Sequence, residues 1–469
     1  MIEFGTSGWR GIIADDFTMD KVRIVSQAIS EYLLSTKPKS KEVIVGYDTR
    51  FMGENFAKTV SGILAGNGFI VSYCPDPVPT PVISYEIVRR KVCGGVNITA
   101  SHNPYYYSGI KFSPAWGGAA LPETTDFIEK KCKKIKPENI KSLDFADAVK
   151  KGKILVRCFR NDYLKRVEQL IDFNVIKRKK LKIALDTMHG AGIGYIETLL
   201  EKYNIPYKAV NTNRDCMFGG RYPEPSAQNL ELLSSMVKSG KYNIGIALDG
   251  DADRFGIIDS DGSYISANEI IAVLVHHLAV SRKWKGNVVR SIMTTSFVDA
   301  VAKKYGLKLH ETPVGFKYIG DILVKQGLVI GGEESGGLTI KGHIPEKDGI
   351  IACLLTAEMM AVSKKSVRSI INDLQKEVGT FFTGRINFRL KQSQIEKLKK
   401  RLKKNLPKTL AGIKIKNINT IDGYKFILET DEWAGIRLSG TEPVVRYYVE
   451  AHSKNALKKL VKASSEIIK

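Results

Sequence analysis

The sequence predicts an α/β protein of several domains with mixed or mostly parallel sheets, and three observations support this fold class. Strand-like apolar runs alternate with amphipathic helical stretches along almost the whole chain, as expected where helices cover parallel strands. A length of 469 residues suits three or four domains of ordinary size. An apolar run that opens into a polar loop recurs at residues 43–48, 182–186 and 288–291, which predicts three related α/β domains.

The remaining C-terminal residues predict a smaller α+β domain. They contain two lysine-rich helical stretches and strand-like runs at residues 384–390, 435–438 and 445–451. A basic stretch around residues 133–152 is typical of a linker, and a helix predicted over residues 367–374 closes the third domain. We therefore predict four domains, at residues 1–150, 151–256, 257–376 and 377–469.

The charge balance is strongly basic, with 72 Lys and Arg against 49 Asp and Glu and a formal net charge of +23. Such a charge suits an anionic small molecule or a nucleic acid. The lysines lie in short runs on predicted helices and linkers, without the interleaved aromatic residues of RNA-recognition motifs. We expect small anionic substrates and no nucleic-acid partner, and nucleic-acid binding stays as an alternative.

Cysteine spacing and hydropathy bear on the compartment. Six scattered cysteines form no C-x-x-C pair, which argues against a zinc ribbon or a disulfide scaffold and is typical of a reducing cytosol. No apolar run reaches about 18 residues, and the N-terminus lacks a basic segment followed by an apolar core. We expect a cytoplasmic protein with no membrane partner.

Three carboxylates stand at alternate positions in residues 249–253, directly after the apolar run 244–248. The run predicts a buried strand, and the Gly and Asp residues predict a loop at its end. Carboxylates roughly 5 Å apart, at an effective dielectric of about 20, repel one another by about 3 kcal/mol per pair. A divalent cation with hard oxygen ligands removes that repulsion. The candidate Mg²⁺ ligands are therefore Asp249, Asp251 and Asp253.

Other interpretations of this acidic loop are open. A solvated acidic turn needs no ligand. A calcium loop fits badly, because it needs Gly and Glu where this chain has Arg254 and Ser260. A phosphatase of the haloacid dehalogenase type also carries Asp-x-Asp after a strand, which would make Asp249 a nucleophile and the protein a hydrolase.

Ser101 lies in a second candidate loop, residues 99–104, after the apolar stretch 92–98. The Asn103-Pro104 pair disfavours a helix and predicts an exposed turn, so a capped turn without chemistry is the alternative. The serine lacks a G-x-S-x-G setting, which argues against acyl transfer. A serine that carries a phosphoryl group beside a magnesium loop fits the chemistry better.

Four motifs, in order along the chain, resemble those of the α-D-phosphohexomutase superfamily, the phosphoglucomutase/phosphomannomutase family. They are a phosphoserine loop, a metal loop, a sugar loop and a phosphate loop, at residues 99–104, 249–254, 332–337 and 437–443. Residues 4–11 also resemble the family's N-terminal signature. The resemblance covers essentially the whole chain. It implies a four-domain, heart-shaped enzyme with one active cleft and a last domain that closes onto substrate.

The resemblance implies a mutase that interconverts 1-phosphate and 6-phosphate sugars through an enzyme phosphoserine. Ser101 would donate and accept the phosphoryl group, and it would bind Mg²⁺ together with the three aspartates of the metal loop. Arg10 and Lys111 would act in catalysis, as proton-transfer or transition-state partners, and Arg254 would bind the substrate. Glucose 1,6-bisphosphate is implied as the intermediate and activator.

The other two loops are implied to bind the substrate. Glu333 and Ser335 of the sugar loop would read the sugar hydroxyls, and one site must serve both orientations of the sugar bisphosphate. The phosphate that is not being transferred would be held by bidentate guanidinium groups, hydroxyls and backbone N–H groups. These belong to Arg437, Ser439, Gly440, Thr441 and Arg446.

Two departures from the family pattern bear on the sugar. Many members of the phosphomannomutase and phosphoglucosamine type have Gly-His where residues 336–337 are Gly-Gly, and residues 314–317 replace a Thr-Gly-His segment. Residues 342–349 instead resemble glucose-type mutases, which makes His343 a candidate acid–base residue and Lys347 a candidate phosphate ligand. We expect a phosphoglucomutase that acts on small sugar phosphates as a monomer or homodimer. Phosphomannomutase and phosphoglucosamine mutase are the alternatives.

Overall fold

The computed structural model describes residues 2–5, 7–438 and 444–468, and these residues form four β-sheets in chain order. Helices and strands alternate through the first three sheets, whereas the fourth sheet is antiparallel and is accompanied by two helices in the described part of the chain. The prediction of three α/β domains followed by a smaller α+β domain is confirmed.

The first sheet has seven strands, which in chain order are β1 (Phe4–Gly5), β2 (Gly8–Ile12), β3 (Glu42–Tyr47), β4 (Ile70–Tyr73), β5 (Gly94–Ile98), β6 (Tyr107–Pro114) and β7 (Ile154–Val156). Their order in the sheet is β1-β2-β6-β5-β3-β4-β7. β3 and β5 are parallel and buried on both faces, as their Val, Ile and Gly composition requires. The helices are α1 (Met19–Ser35), α2 (Gly53–Gly66), α3 (Thr80–Arg90), α4 (Pro122–Cys132) and α5 (Phe145–Lys150).

The second sheet has five strands: β8 (Ile183–Asp186), β9 (Tyr207–Val210), β10 (Ile244–Leu248), β11 (Phe255–Ile258) and β12 (Tyr264–Ile265). Their order is β12-β11-β10-β8-β9, with β10 parallel to β8 and antiparallel to β11. The acidic loop is thus the turn of a hairpin inside this sheet. The helices are α6 (Arg160–Leu170), α7 (Phe173–Lys179), α8 (Tyr195–Lys202) and α9 (Glu231–Met236).

The third sheet has four strands: β13 (Asn287–Ser291), β14 (Lys308–Thr312), β15 (Ile330–Glu333) and β16 (Gly337–Ile340). Their order is β14-β13-β15-β16, and β15 and β16 form an antiparallel hairpin whose turn is the sugar loop. The helices are α10 (Ala267–Val280), α11 (Phe297–Lys304), α12 (Phe316–Gln326), α13 (Gly349–Ser363) and α14 (Val367–Val378).

The fourth sheet has six strands: β17 (Phe382–Arg389), β18 (Thr409–Leu410), β19 (Ile413–Asn419), β20 (Tyr424–Leu428), β21 (Trp433–Leu438) and β22 (Val444–Ala451). Their order is β17-β22-β21-β20-β19-β18, and all described pairs are antiparallel. The helices are α15 (Gln392–Lys404) and α16 (Lys454–Ile468). The connection between β21 and β22, residues 439–443, lies outside the described residues.

The sheets extend past two of the domain limits predicted from sequence. β7 pairs with β4, so the first sheet continues beyond residue 150. β11 and β12 belong to the second sheet, so a limit at residue 256 would cut through β11. An acidic loop that follows a strand resembles the end of a domain, and the short apolar strand that returns from it is easily missed.

The hydrophobic cores divide the molecule unequally. Helix α13 is mostly apolar and buried, and it belongs to one large core that joins the second and third sheets and one side of the first. The C-terminal domain has a separate core around Phe426. It meets the third domain through a small apolar cluster of Ile292, Met293, Trp433 and Tyr448. In the part of the chain that the structure describes, no helix combines the length and the apolar character needed to cross a membrane.

Candidate active site

Ser101 lies in the loop after β5 and is 1% exposed. Its φ of +53° places it in the left-handed region, which is costly for a residue with a side chain. Its N–H donates to Thr99 Oγ1 at 2.9 Å, and its Oγ donates to Asp249 Oδ2 at 2.9 Å. The serine proposed from the sequence as the phosphoryl carrier therefore forms a direct hydrogen bond with the acidic loop.

Arg50, which the sequence analysis did not single out, holds the serine loop in place. It is fully buried just after β3, and its guanidinium group has a partner for each of its five N–H groups. Nε donates to Asp48 Oδ2 at 3.1 Å. The terminal nitrogens donate to four backbone carbonyls of the loop, those of Ser101 (2.6 Å), Asn103 (2.7 Å), Pro104 (2.7 Å) and Tyr107 (2.9 Å). The sequence signal was a charged pair, Asp48 and Arg50, directly after an apolar strand.

The acidic loop forms the turn between β10 and β11, and its three aspartates are fully buried. A Cβ atom at Gly250 would lie 2.7 Å from the Ser101 carbonyl oxygen, so this close approach requires glycine. Burial, together with the charges of Asp251 and Asp253, raises the pKa of Asp249 well above its ordinary value. The hairpin thus brings the three carboxylates and Ser101 into one buried cluster.

Two lysines offset part of this negative charge, and a threonine hydroxyl donates a hydrogen bond to it. Lys111 on β6 places its Nζ 2.6 Å from Asp251 Oδ2 and 2.6 Å from Asp253 Oδ2, and Thr80 Oγ1 also donates to Asp251. Lys347 Nζ lies 3.1 Å from Asp253 Oδ2. Although burial alone would raise the pKa of Asp253, Lys111 and Lys347 hold it well below its ordinary value.

The remaining carboxylate oxygens fit a divalent cation. One oxygen from each of Asp249, Asp251 and Asp253 can lie within 4.8 Å of the others. The Oδ1 atoms of Asp251 and Asp253 are buried and have no hydrogen-bond partner among the described residues, a costly state unless a ligand satisfies them. Three hard oxygen donors in one small cluster suit Mg²⁺.

Cations also surround the serine. Arg10 on β2 donates to Asn103 Oδ1 and, at 3.3 Å, to Ser7 Oγ. Burial and the neighbouring Arg254 lower the pKa of Arg10 to about 10. The pKa of His102 is well below its ordinary value because of burial and four positive charges, those of Arg254, Arg10, Lys111 and Arg446. These four charges, which act on the residue next to Ser101, come from three domains: Arg10 and Lys111 from the first, Arg254 from the second and Arg446 from the fourth.

The sugar loop lies against the end of the acidic hairpin. The Phe255 N–H donates to the Gly336 carbonyl at 3.2 Å. Glu333 ends β15 and is 5% exposed, and it accepts a bond from the Gly315 N–H at 2.7 Å. Burial, with repulsion from Glu334, raises the pKa of Glu333 to about 7. Ser335 follows in the turn and is partly exposed.

Arg437 and Arg446 are directly opposite each other on β21 and β22. Arg437 Nε donates to Asp422 Oδ2 at 2.9 Å, and the same oxygen accepts from the Val314 N–H at 3.0 Å. Glu334 is among the charges that act on Arg437, which places this arginine near the sugar loop. The other three predicted phosphate ligands, Ser439, Gly440 and Thr441, lie outside the described residues.

His343 pairs with Asp348 at the start of α13. Its side chain is fully buried, with Nε2 2.7 Å from Asp348 Oδ2. The same oxygen accepts a bond from Tyr163 Oη at 2.6 Å, and the other Asp348 oxygen caps the first turn of α13. These contacts suit a structural role at the start of α13, and none of the hydrogen bonds of His343 within the described residues reaches Ser101 or the three aspartates. Its acid–base role stays a prediction.

Fold and site together describe an enzyme in which a buried serine, three carboxylates suited to a metal ion and a set of cations lie together, with residues of the first three domains in direct contact. Comparison with known proteins gives the family. Four profiles described as phosphoglucomutase/phosphomannomutase match in order: domain I at residues 1–139, domain II at 161–262, domain III at 266–378 and the C-terminal domain at 386–467.

Similar proteins cover the whole chain. A phosphoglucomutase/phosphomannomutase of Thermococcus kodakarensis is 30% identical over 468 residues, which cover 99% of this chain and 98% of the relative. A phosphoglucosamine/phosphogalactosamine mutase of Sulfurisphaera tokodaii is 29% identical, with coverage of 99% and 98%. The crystal structure of a phosphomannomutase from Thermus thermophilus, so named provisionally, superposes with a TM-score of 0.86 at 30% identity and covers 100% of this chain and 99% of its own.

The chain belongs to the phosphoglucomutase/phosphomannomutase family, as the motifs predicted, and it is a phosphohexomutase. Members of this family are mutase isomerases. The names of its relatives differ in the sugar, so family membership leaves the preferred hexose open.

Proposed function

We propose that this protein interconverts glucose 1-phosphate and glucose 6-phosphate through a phosphoserine at Ser101. The observation that carries the proposal is the 2.9 Å hydrogen bond from Ser101 Oγ to Asp249, inside a buried cluster of three carboxylates. A serine hydroxyl beside three buried carboxylates suits a phosphoserine whose charge is neutralised by a bound cation.

The chemistry follows from groups that the chain itself supplies. The phosphoryl group passes from Ser101 Oγ to a free hydroxyl of the hexose monophosphate, giving glucose 1,6-bisphosphate. The bond from phosphorus to Ser101 Oγ breaks as the bond to the sugar oxygen forms, and the hydroxyl proton ends on Ser101 Oγ. After the sugar turns round, its other phosphoryl group returns to Ser101. Arg10 and Lys111 would stabilise the charge of the transferring group, since positioning and electrostatics dominate phosphoryl transfer. Arg50 keeps the serine backbone fixed while the phosphoryl group leaves and returns.

Asp249, Asp251 and Asp253, with an oxygen of phosphorylated Ser101, would hold Mg²⁺. When bound, the ion neutralises phosphate charge and polarises the phosphoryl oxygen. The hydrogen bond from Ser101 to Asp249 joins the serine to the acidic loop, an arrangement that the hydrolase alternative does not need.

Substrate recognition would come from the third and fourth domains. Glu333 and Ser335 would bind sugar hydroxyls, whereas Arg437, Arg446, Arg254 and the loop at 439–441 would bind the phosphate that is not transferred. Both orientations of the bisphosphate place a phosphate at the same clamp, and guanidinium groups accept either one.

Glucose is favoured by the way Lys347 and Gly337 fit together. A Cβ atom at Gly337 would lie 2.2 Å from Lys347 Cδ. A histidine at position 337, as in many mannose-type and glucosamine-type members, therefore conflicts with the present position of Lys347. The lysine, in a segment that resembles glucose-type mutases, takes over that space and reaches Asp253.

A coupled assay with three substrates tests the proposal. Glucose 1-phosphate, mannose 1-phosphate and glucosamine 1-phosphate are compared with Mg²⁺ and the matching 1,6-bisphosphate present. We expect kcat/KM to be at least about tenfold higher for glucose 1-phosphate, which is about 1.4 kcal/mol of transition-state discrimination. A higher value for another sugar would show that the glucose assignment is wrong, and no turnover of any of the three would remove the mutase proposal.

The compartment proposed is the cytoplasm. All six cysteines lie in the described part of the chain and are free thiols, as expected where the medium is reducing. Sugar phosphates are the partners proposed.

A further inference from the structure

Lys317 is a buried cation with no anionic partner among the described residues. It lies in the first turn of α12 and is 8% exposed. Apart from the Tyr318 ring, whose centroid is 5.5 Å from Nζ, its ammonium group has no hydrogen bond or ion pair with any residue that the structure describes. Burying an ammonium group without a compensating anion is costly. A largely buried lysine without a counter-ion among the described residues favours the binding of an anion beside it.

The segment that carries Lys317 joins the two substrate-binding loops. The Gly315 N–H donates to Glu333 of the sugar loop at 2.7 Å. The Val314 N–H donates to Asp422 at 3.0 Å, and Asp422 accepts from Arg437 at 2.9 Å. Lys317 is therefore two residues from a contact with the sugar loop and three residues from a contact with the partner of the phosphate clamp.

The charges near Lys317 point to a phosphate as its partner. Burial lowers the pKa of Lys317, and Arg437 is the cation that lowers it further. The carboxylates that act in the opposite direction, Glu123 and Asp126 on α4, are both exposed. Asp422, which pairs with Arg437, supplies one negative charge beside these two cations. A phosphate dianion between Lys317 and Arg437 would satisfy both.

We propose that Lys317 binds the phosphate that Arg437 clamps, as an additional ligand contributed by the third domain. The inference rests on the proposed function and deepens it, because it assigns this phosphate to a site between two domains. When the C-terminal domain closes, the phosphate links Lys317 on one side of the cleft to Arg437 on the other. Binding of the phosphate then favours the closed arrangement.

The experiment replaces Lys317 by Met, which keeps the length of the side chain and removes its charge. The matched control is Lys325→Met, on the same helix, where the lysine is 66% exposed and pairs with Asp321 at 2.8 Å. We expect Lys317→Met to raise KM for glucose 6-phosphate by about 10- to 100-fold, the loss of one charge-assisted hydrogen bond, with kcat within about threefold. Lys325→Met keeps the wild-type KM.

Lys317→Arg separates charge from packing and is expected to keep KM within about threefold of wild type. If Lys317→Met does not fold by circular dichroism, Lys317→Gln takes its place. An unchanged KM in a folded, uncharged variant overturns the inference while the wild-type turnover leaves the proposed function standing. A KM for Lys317→Arg as high as that of the Met variant overturns it too. If the wild-type protein turns over no sugar phosphate, the proposed function fails, and the role of Lys317 fails with it.

Discussion

The serine–aspartate cluster and the phosphate clamp are built in opposite ways. In the cluster, Asp249, Asp251 and Asp253 are fully buried, and Arg50 has a partner for each of its N–H groups. In the clamp, Arg437 has one carboxylate partner and the neighbouring Lys317 has no ionic partner among the described residues. Under the proposed function, the groups that transfer the phosphoryl group are already in place before the substrate arrives, whereas binding of the substrate completes the phosphate clamp.

The attachment of the C-terminal domain agrees with this contrast. Beside the small apolar cluster, its contact with the third domain includes hydrogen bonds: Glu450 accepts from the Ser296 N–H at 3.0 Å, Trp433 Nε1 donates to Ser296 Oγ at 3.2 Å, and Lys425 Nζ donates to the Ile292 carbonyl at 2.8 Å. Polar interfaces between domains permit relative motion more readily than large apolar ones. A clamp on this domain can therefore adjust to both orientations of a sugar bisphosphate.

The largest expected effect comes from Ser101→Ala. We expect mutase turnover to fall by at least about 10⁴-fold, because the group that carries the phosphoryl is gone. Thermal unfolding should shift little, since one hydroxyl is lost. The coupled assay and a melting curve measure both. Ser61→Ala is the control, as Ser61 is a buried serine on α2 whose hydroxyl donates to the Ala57 carbonyl at 2.8 Å. Turnover by Ser101→Ala near the wild-type rate contradicts the proposal.

Arg50→Lys tests whether the cluster depends on a fixed serine backbone. A lysine keeps the charge but cannot serve five acceptors in the plane of a guanidinium group, and Ser101 holds a strained φ of +53°. We expect kcat to fall by about 10- to 100-fold and KM to change much less. Arg89→Lys is the control, since Arg89 pairs with Glu86 at the end of α3. A wild-type kcat for Arg50→Lys in the folded protein would show that this arginine has no positioning role.

The smallest expected effect is on the pH dependence of stability, and it tests whether Glu333 of the sugar loop is a buried carboxylate without full compensation of its charge. The pKa of Glu333 is about 7 in the folded protein, mainly because of burial, against an ordinary value of 4.5. Stability from this group is fully present below pH 4.5 and is lost as pH rises through 7, because the unfolded chain releases the proton first. The difference corresponds to at most about 3 kcal/mol.

Glu333→Gln should remove this dependence. We expect the urea midpoint of the wild-type protein to fall more between pH 5 and pH 8 than that of the variant. Exposed Glu429, replaced by Gln, should behave as wild type. Parallel pH dependence of wild type and Glu333→Gln would mean that the carboxylate is already compensated in the folded state.

The sequence could predict those site residues that lie close together along the chain. The acidic loop and the serine loop are each one continuous segment, so residue type and spacing were enough to propose Asp249, Asp251, Asp253 and Ser101. Arg50 was missed because its partners at residues 101–107 come close only in the folded protein. Lys317 was noted only as part of a replaced segment, because its lack of an ionic partner among the described residues is a property of the tertiary structure.

The same limit explains the differences in the fold and at His343. β7 was not predicted as part of the first sheet because its pairing with β4 joins residues about 80 positions apart, and such pairings are not set by local pattern. His343 was proposed for catalysis because residues 342–349, which also contain Lys347, resemble a segment of glucose-type mutases. In the structure the two side chains have different partners, Asp348 for the histidine and Asp253 for the lysine.

The most direct test of the account is the location of the phosphate on the enzyme. The protein is incubated with glucose 1,6-bisphosphate and Mg²⁺, digested, and its phosphopeptides are mapped by mass spectrometry, with Ser101→Ala as the control. The account predicts one phosphate on Ser101 that resists hydroxylamine, disappears in the control and is discharged by glucose 6-phosphate. A hydroxylamine-sensitive phosphate on Asp249, or no phosphate on Ser101, would contradict it.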